Sequence, residues 1–352
     1  MLADNFCHAQ AHQLVRDLHS PRPLIYWTDL AFSAALGWAA FAVACSAPFG
    51  SWTATGAAVI AVLLLYRAVC FIHEITHVRP KALPGFETAW NVAIGIPLLM
   101  PSFTYVGVHQ DHHSTATYGT SQDPEYMPFA RSHLMTATFL LQSLLMPLLL
   151  LARFVVLAPF ALFWRPFHRL LAAHASSFAM NPRYCRRVDD KLLDNMGRWE
   201  VAILLFWGPL LVLCATILPW RVLFTWAGVV AVVSFVNTLR ALGAHHYEST
   251  GEPLDRGAQL LDSVDIPGGP WTALWAPVGL RYHALHHYFP GIPYHNLGRA
   301  HLRLTGELPA AARYRETICR SLPSSLNRLF VTGYRSRTRR HKLEAPKPAV
   351  TR

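Results

Sequence analysis

Histidine is the residue whose frequency and spacing in this sequence could support chemistry. The 352 residues include 19 histidines, and eight of these form three clusters: His73-x3-His77, His109-x2-His112-His113 and His283-x2-His286-His287. Residues at positions i, i+3 and i+4 of a helix share one face, so each cluster can direct its imidazoles to a common point. At this histidine frequency the pattern H-x-x-H-H is expected about 0.06 times by chance, and it occurs twice. The repetition indicates ligand clusters.

The three clusters predict a site for two metal ions. Neutral imidazole is a ligand for iron, zinc, copper and nickel, and eight converging imidazoles exceed the number that a single ion accepts. Histidines without a partner at ligand spacing, such as His168 and His174, are assigned no role, because a lone histidine near a helix end is more often a surface or interfacial residue.

Carboxylates beside the clusters could orient the imidazoles, since a ligating histidine commonly donates its second ring N–H to a carboxylate. On adjacency in the sequence we predict this role for Asp111, Glu248 and Asp262. Glu74, inside the first cluster, is interpreted as a carboxylate of the same kind or as a surface residue.

The run His73-Glu74-Ile75-Thr76-His77 allows a second interpretation. It satisfies H-E-x-x-H, the zinc protease motif in which the glutamate is the general base, so an intramembrane protease is a rival hypothesis. Such an enzyme needs two histidines, one further ligand and a water, and both H-x-x-H-H clusters would then have no role. We therefore favour the two-metal site.

The composition indicates that a bilayer surrounds the elements that carry these histidines. Hydrophobic residues make up 53% of the chain and charged residues 14%, which is typical of an integral membrane protein. The net charge of +11 does not indicate nucleic-acid binding, because the basic residues gather where apolar segments end. Such residues set membrane topology and contact lipid headgroups.

Four apolar runs, at about 30–47, 56–72, 201–219 and 222–239, approach the roughly 20 residues that a bilayer requires. They predict two transmembrane hairpins within a single domain at 1–334, followed by a basic tail at 335–352. Two further apolar runs, at 90–108 and 134–164, are interrupted by proline and are predicted to be interfacial or re-entrant helices. Arginines between the hairpins predict that both termini and the histidines face the cytoplasm.

The order and spacing of the clusters resemble the three histidine boxes of the membrane fatty acid desaturase and hydroxylase superfamily, H-x3-4-H, H-x2-3-H-H and H/Q-x2-3-H-H. The run at 279–297, GLRYHALHHYFPGIPYHNL, is similar to bacterial-type acyl desaturases. So is the run NTLRALGAHH at 237–246, which resembles the family segment N-x-x-R-x-L-x-A-H followed by Arg or Tyr. The resemblance implies that His245 is a ninth ligand and that His246 stands in the position of that Arg.

The resemblance also implies an all-α membrane protein, with four spans below a cytoplasmic helical cap and an acyl tunnel that leads to a di-iron centre. Some relatives reach a metal through water from an Asn four residues before the ninth ligand, where this chain has Ala241. The nearest asparagine is Asn237, which is kept as a candidate. The sequence has neither the H-P-G-G motif of a fused cytochrome b5 nor a G-x-G-x-x-G after a strand. A separate ferredoxin or cytochrome b5-like protein is therefore expected to supply electrons.

From this resemblance we predict an O2-dependent di-iron oxidase of a bacterial inner membrane that introduces a double bond into the acyl chain of a lipid. The alternative is hydroxylation or ketolation of a lipid, a sphingoid base or a carotenoid by the same histidines. A non-catalytic metal-dependent structural or sensor protein is the third possibility, and the completeness of the three clusters argues against it.

Overall fold

The chain is an all-helical protein, as predicted. The computed structural model describes residues 7–331, and the predicted basic tail at 335–352 lies outside them. Within 7–331 the backbone forms helices and isolated β-bridges but no β-strand. A helix satisfies its backbone hydrogen bonds internally, which is the form that a bilayer permits.

The α-helices are connected by loops that contain several short 3₁₀ turns, and π-helical turns interrupt two of the helical stretches. They are α1 (His8–Val15), α2 (Pro23–Ser46), α3 (Trp52–His77), α4 (Phe86–Trp90), α5 (Val108–His113), α6 (His133–Leu144), α7 (Met146–Leu151), α8 (Ala158–Phe163), α9 (Arg165–His174), α10 (Asp190–Thr216), α11 (Arg221–Ala244), α12 (Arg256–Asp262), α13 (Thr272–Trp275), α14 (His283–Tyr288) and α15 (Tyr294–Glu307). A further helical stretch covers 322–331.

Four long helices form the framework of the protein. The helices α2, α3, α10 and α11 coincide largely with the spans predicted at 30–47, 56–72, 201–219 and 222–239. α2 packs along α3, and α11 packs against both. Since the histidine-bearing ends of α3 and α11 meet, the N-termini of α2 and α10 lie at that same end of the bundle.

The long helices begin at residues suited to a helix N-terminus. α2 begins at Pro23, whose fixed φ suits the first helical position. α3 follows Ser51, and α10 follows Asp189, and each side chain accepts a backbone N–H of the first helical turn, at 3.1 and 2.7 Å. These caps explain why the helices extend beyond the apolar runs into polar sequence.

A fifth helical stretch, Met146–Phe163, is also long and apolar enough to cross a membrane. It comprises α7, a π-helical turn at Ala152–Leu157 and α8. The segment 134–164, which contains this stretch, is predicted to be interfacial or re-entrant, and that placement stays a prediction.

The π-helical turn of this stretch contributes to a buried charge cluster. Arg153 donates to Oε1 of Glu200 in α10 at 2.5 Å and to Oγ of Ser176 at 2.6 Å. In α9, Nε2 of His168 lies 3.0 Å from the second oxygen of Glu200. Glu200 is fully buried, so both partners are needed to compensate a charge that is removed from water. The cluster therefore ties α9 and α10 to the apolar stretch.

The segment 90–108 is a largely buried, irregular piece of backbone, and its placement as interfacial or re-entrant stays a prediction. Trp207 of α10 donates its indole N–H to the carbonyl of Ile96 at 3.0 Å, and Trp226 of α11 donates to the carbonyl of Pro97 at 2.9 Å. Non-helical backbone is tolerated at membrane depth where its polar groups are satisfied inside the protein. The two indoles provide that satisfaction here.

Candidate metal centre

The first histidine cluster lies in the last turn of α3. His73 and His77 are one helical turn apart, and their ring centroids are 5.0 Å apart. The backbone becomes extended at Val78, so the helix ends directly after the second histidine. Both imidazoles therefore lie at the same end of the bundle.

The second cluster lies on the short helix α5, which begins after Gly107. This glycine has a φ of +87°, a region that favours glycine, and an added Cβ would lie 2.8 Å from the guanidinium of Arg186. Arg186 donates to the carbonyl of Val106 at 2.6 Å and so holds the chain that leads into α5. Local backbone geometry thus fixes where the second cluster starts.

The third cluster lies on α14 and is joined by His245. Asp265 accepts the backbone N–H of Leu285, in the first turn of α14, at 3.0 Å. His245 follows α11 in an extended conformation, and its Nε2 lies 2.8 Å from Nε2 of His283. The histidine that the family resemblance adds is therefore in contact with the third cluster.

The histidines converge on two groups of ligand atoms. Within each group, one nitrogen from every residue lies within 4.8 Å of the others. The first group is His73, His77, His109 and His286, and the second group is His112, His245, His283 and His287. Because both H-x-x-H-H clusters contribute to both groups, each of these two clusters connects the two sites.

His113 is the ninth imidazole and lies between the groups. Its Nε2 is 3.0 Å from Nε2 of His109 and 3.1 Å from Nε2 of His286, both in the first group. Its ring stacks on His287 of the second group, with centroids 4.2 Å apart. The structure thus brings together all nine histidines that the sequence predicts as ligands.

The nitrogen positions fit bound metal ions. The Nε2 atom of His283 is 2.8 Å from that of His245 and 3.2 Å from that of His287. Two nitrogens at right angles around an ion with bonds of about 2.1 Å would be about 3.0 Å apart. In the described part of the chain, the buried Nε2 atoms of His73, His77 and His112 have no hydrogen-bond partner. A buried polar atom without a partner is costly, and one metal ion in each group would satisfy all three.

Two carboxylates that the sequence analysis did not identify orient the second cluster. Nδ1 of His109 lies 2.6 Å from Oε1 of Glu125, and Nδ1 of His112 lies 2.9 Å from Oδ1 of Asp123. Both carboxylates are buried in the loop that follows α5. A carboxylate on Nδ1 fixes the tautomer in which Nε2 is available to a metal. Asp123 therefore supports the second group and Glu125 the first.

Asp262 lies beside His245, as predicted. Its Oδ2 is 3.6 Å from Nδ1 of His245, and it accepts the hydroxyl of Tyr118 at 3.0 Å. The same hydroxyl lies 2.8 Å from Nδ1 of His245. Tyr118 thus connects the carboxylate to the ring.

Within the described residues, the structure places the other three predicted polar side chains against groups other than ligand imidazoles. The partners are Tyr184 for Asp111 at 2.7 Å, Arg328 for Glu248 at 3.7 Å, and Arg240 for Asn237 at 3.0 Å. Residues two positions apart on a helix do not face each other, and Asp111 stands two positions after His109. Adjacency in the sequence was therefore a poor guide to contact for Asp111 and Glu248, and Asn237, kept from the family resemblance, contacts Arg240 instead of a ligand.

Glu74 is buried and has two hydrogen-bond partners. Its carboxylate accepts the hydroxyl of Tyr26 and, at 3.1 Å, the backbone N–H of Tyr294. In a zinc protease the corresponding glutamate must face a metal-bound water. The imidazoles gathered around His73 and His77 also exceed the three protein ligands of such an enzyme. Both observations disfavour the protease hypothesis.

The protein environment keeps most of these imidazoles neutral, the form that binds metals. Burial and the neighbouring rings hold the pKa of His113, His283 and His286 well below the ordinary value. His112 differs: burial lowers its pKa, but the Asp123 carboxylate has the opposite effect, and the net pKa is raised. A metal ion at Nε2 of His112 would therefore have to displace a more tightly held proton.

Comparison with known proteins identifies the family. The sequence profile described as "Fatty acid desaturase" matches residues 49–318. The chain belongs to the fatty acid desaturase family. This desaturase-family chain is also 39% identical over 331 residues to a protein named ceramide hydroxylase from Caulobacter vibrioides (strain NA1000 / CB15N), and the match covers 91% of this chain and 92% of the relative.

Membership makes the chain a multi-pass membrane oxidoreductase of lipid metabolism. The matched region at 49–318 contains all nine imidazoles and the carboxylates that contact them. The similarity to a ceramide hydroxylase fits the hydroxylase alternative of the sequence analysis rather than its first choice, a fatty acyl desaturase.

Asp265 is expected to position the third cluster. It is fully buried, and besides capping α14 at Leu285 it accepts the hydroxyl of Tyr314 at 2.7 Å. An Asp265→Ala variant would leave the buried N–H of Leu285 without its acceptor, which costs about 1–3 kcal/mol, and would leave the hydroxyl of Tyr314 with His301 as its remaining partner. Because α14 supplies ligands to both groups, we expect lower metal content at both sites and at least about tenfold lower activity, measured by elemental analysis and turnover.

Asp189→Ala is the matched control, since it removes an aspartate cap from α10, a helix without ligands. It should reduce thermal stability but leave the metal content per folded chain unchanged. Equal metal loss in the two variants would contradict a positioning role for Asp265.

Proposed function

We propose that the protein is an O2-dependent di-iron hydroxylase that adds one oxygen atom to a hydrocarbon chain of a ceramide-type lipid. The observation that carries this proposal is the similarity to a ceramide hydroxylase over nine-tenths of both chains. The two groups of histidine nitrogens support it, since they provide sites for two ions.

Iron is the proposed metal because of the bond that must be broken. An unactivated methylene C–H bond is too strong for side-chain acids and bases, so its oxidation requires O2 and a redox metal, which zinc is not. Two irons, one held by His73, His77, His109 and His286 and the other by His112, His245, His283 and His287, would supply this redox chemistry. His113 lies between them.

The overall reaction consumes two electrons and two protons. One atom of O2 enters the C–H bond to form an alcohol, and the other leaves as water. The electrons are proposed to come from a separate ferredoxin or cytochrome b5-like protein, as the sequence analysis expected. The cytoplasmic position of the metal centre is part of the same proposal.

The protein itself holds the two metal ions and orients the imidazoles that bind them. Asp123, Glu125 and Tyr118 fix the tautomers of three ligands through their Nδ1 atoms. Burial of the centre keeps water away from a reactive oxidant and so limits unproductive consumption of O2.

Desaturation of an acyl chain is the second candidate. The observation that favours it is the run at 279–297, which resembles bacterial-type acyl desaturases. Both reactions begin by removing hydrogen from a methylene group, so the histidines alone do not distinguish them. The number of hydrogens removed does distinguish them.

The test uses two ceramides, one deuterated throughout the acyl chain and one throughout the sphingoid base, supplied to a bacterial host that expresses the protein under ¹⁸O2. We expect a product that has gained one ¹⁸O atom. The ceramide whose product has also lost one deuterium identifies the chain that is hydroxylated. The His286→Ala variant should give no product.

Loss of two deuterium atoms without gain of oxygen would replace the hydroxylase by a desaturase. A product with oxygen of natural abundance would contradict the use of O2. Oxidation of the host's fatty acids with both ceramides untouched would contradict the substrate class.

A further inference from the structure

A crevice of about 430 Å³ lies on the outer face of the protein where α8, α9 and α10 meet, formed by residues outside the metal centre. Leu162, Leu193 and Val201 provide its apolar part, Arg165 and Arg198 provide positive charge, and Asp194, which pairs with Arg165, provides one carboxylate. A surface that combines apolar walls with guanidinium groups suits an amphipathic anion.

The crevice lies at the level where the lipid-facing surface begins. On α10 the exposed residues change from charged, up to Arg198, to apolar, with Leu205 72% exposed. On the neighbouring segment Phe163 is 92% and Trp164 62% exposed. Tryptophan and basic residues at the end of an apolar helix mark the membrane–water interface. A ligand here would therefore have its polar group at the height of the lipid headgroups.

Among residues 7–331, the ion pairs around the crevice leave one positive charge without a carboxylate partner. Arg165 pairs with Asp190 at 2.9 Å and Asp194 at 3.0 Å, and Arg169 shares Asp190 at 2.6 Å. Arg198 contacts the neutral amide of Asn195 at 3.5 Å. Three arginines thus face two aspartates, and the surplus charge equals that of one phosphodiester.

The buried cluster behind the crevice does not oppose an anion. Glu200 lies two positions after Arg198 on α10. Arg153 and His168 contact its two carboxylate oxygens at 2.5 and 3.0 Å. Its negative charge is therefore compensated inside the protein. His168 also lines the crevice, so the cluster forms part of its wall.

A substitution at Gly197 can fill the crevice. An added Cβ would lie 3.5 Å from Cε1 of His168 and 3.6 Å from Cδ2 of Leu162, both ordinary contact distances. A larger side chain would extend beyond these contacts into the crevice. The volume can thus be filled without changing the charge.

We propose that this crevice is a binding site for a phosphate-bearing membrane lipid. The guanidinium of Arg198, with that of Arg165, binds the phosphate, and the first part of an acyl chain lies against Leu162 and Val201. Basic pockets between membrane helices are suited to such headgroups. The site differs from the metal centre in both residues and position, so it is independent of the proposed reaction.

The test measures binding to the purified full-length protein by native mass spectrometry. The probes are phosphatidylglycerol, uncharged diacylglycerol and inorganic phosphate. We expect bound phosphatidylglycerol, about tenfold weaker binding by Arg198→Gln because a charged hydrogen bond is lost, and a similar loss for Gly197→Leu. The control Arg187→Gln removes an exposed charge from the same basic segment outside the crevice and should bind normally. Thermal unfolding is measured for each variant, and only variants that unfold like the parent protein are compared.

Three results would overturn the proposal. Equal loss of binding in Arg187→Gln and Arg198→Gln would mean that the lipid is attracted by the overall positive charge of this surface and not by the crevice. Equal binding of diacylglycerol would mean that the phosphate is not recognised. Equal binding of inorganic phosphate would mean that the site takes a free anion and not a lipid.

Discussion

Replacement of His286 by alanine is expected to lower lipid oxidation by more than about 100-fold, beyond the roughly 10–100-fold that loss of an outer partner costs. His286 belongs to the first group of donors, and its Nε2 is 3.1 Å from that of His113. Its removal leaves that group with one donor fewer, while the second group keeps all four donors. The purified variant should therefore contain one iron per chain where the parent contains two, as measured by elemental analysis.

The matched control for this prediction is His174→Ala. His174 is exposed at the end of α9 and is in neither group of donors, so this variant should keep both irons and full activity. Retention of two irons by His286→Ala would show that the first group does not hold a metal as described.

Replacement of Asp123 by asparagine is expected to have the second-largest effect. One carboxylate oxygen contacts Nδ1 of His112 and the N–H of Glu125, each at 2.9 Å, and the other accepts the N–H of Gly119 at 2.9 Å. An amide has only one acceptor oxygen, so at least one of these contacts is lost. We expect about 10–100-fold weaker metal binding and activity, with the loss confined to the second group. Stepwise removal of iron by a chelator measures this.

The variant Glu125→Gln provides a crossed comparison, because Glu125 contacts His109 of the first group. In Asp123→Asn the second site should lose iron first, and in Glu125→Gln the first site should do so. The two sites can be told apart by combining each variant with His286→Ala, which already lacks the first iron. Identical iron loss in both combinations would contradict the assignment of one carboxylate to each site.

Eight of the nine converging histidines could be predicted from the sequence because helical spacing connects sequence to geometry directly, whereas His245 came from the family resemblance. His109, His112 and His113 occupy one helical turn of α5, so their i, i+3 and i+4 positions already place three imidazoles together. The pattern does not reveal which histidines of a cluster supply ligands to which metal ion. The structure shows that clusters divide, with His109 in the first group and His112 in the second.

The outer carboxylates could not be predicted in the same way. Asp123 and Glu125 lie in a loop without a helical period, and the hydrogen bonds of that loop place them on the ligands. One of these bonds runs from Asn181 to the carbonyl of Asp123, 58 positions away in the chain. Contacts of this kind depend on tertiary packing.

The fold was predictable to the extent that hydropathy determines it. The four long helices follow from apolar runs, and their ends follow from caps such as Asp189. Hydropathy alone does not decide the path of 90–108, because the buried carbonyls of that segment are satisfied by side chains more than a hundred positions later.

The hydrogen bonds of 90–108 join parts of the chain that are synthesised at different times. The carbonyls of Ile96 and Pro97 receive their hydrogen bonds from Trp207 and Trp226, which belong to the second hairpin. During synthesis the segment 90–108 emerges before either tryptophan exists, and an unsatisfied carbonyl is not tolerated in hydrocarbon. On the predicted re-entrant placement, we expect the segment to wait at the bilayer surface or in the insertion machinery until the second hairpin is present.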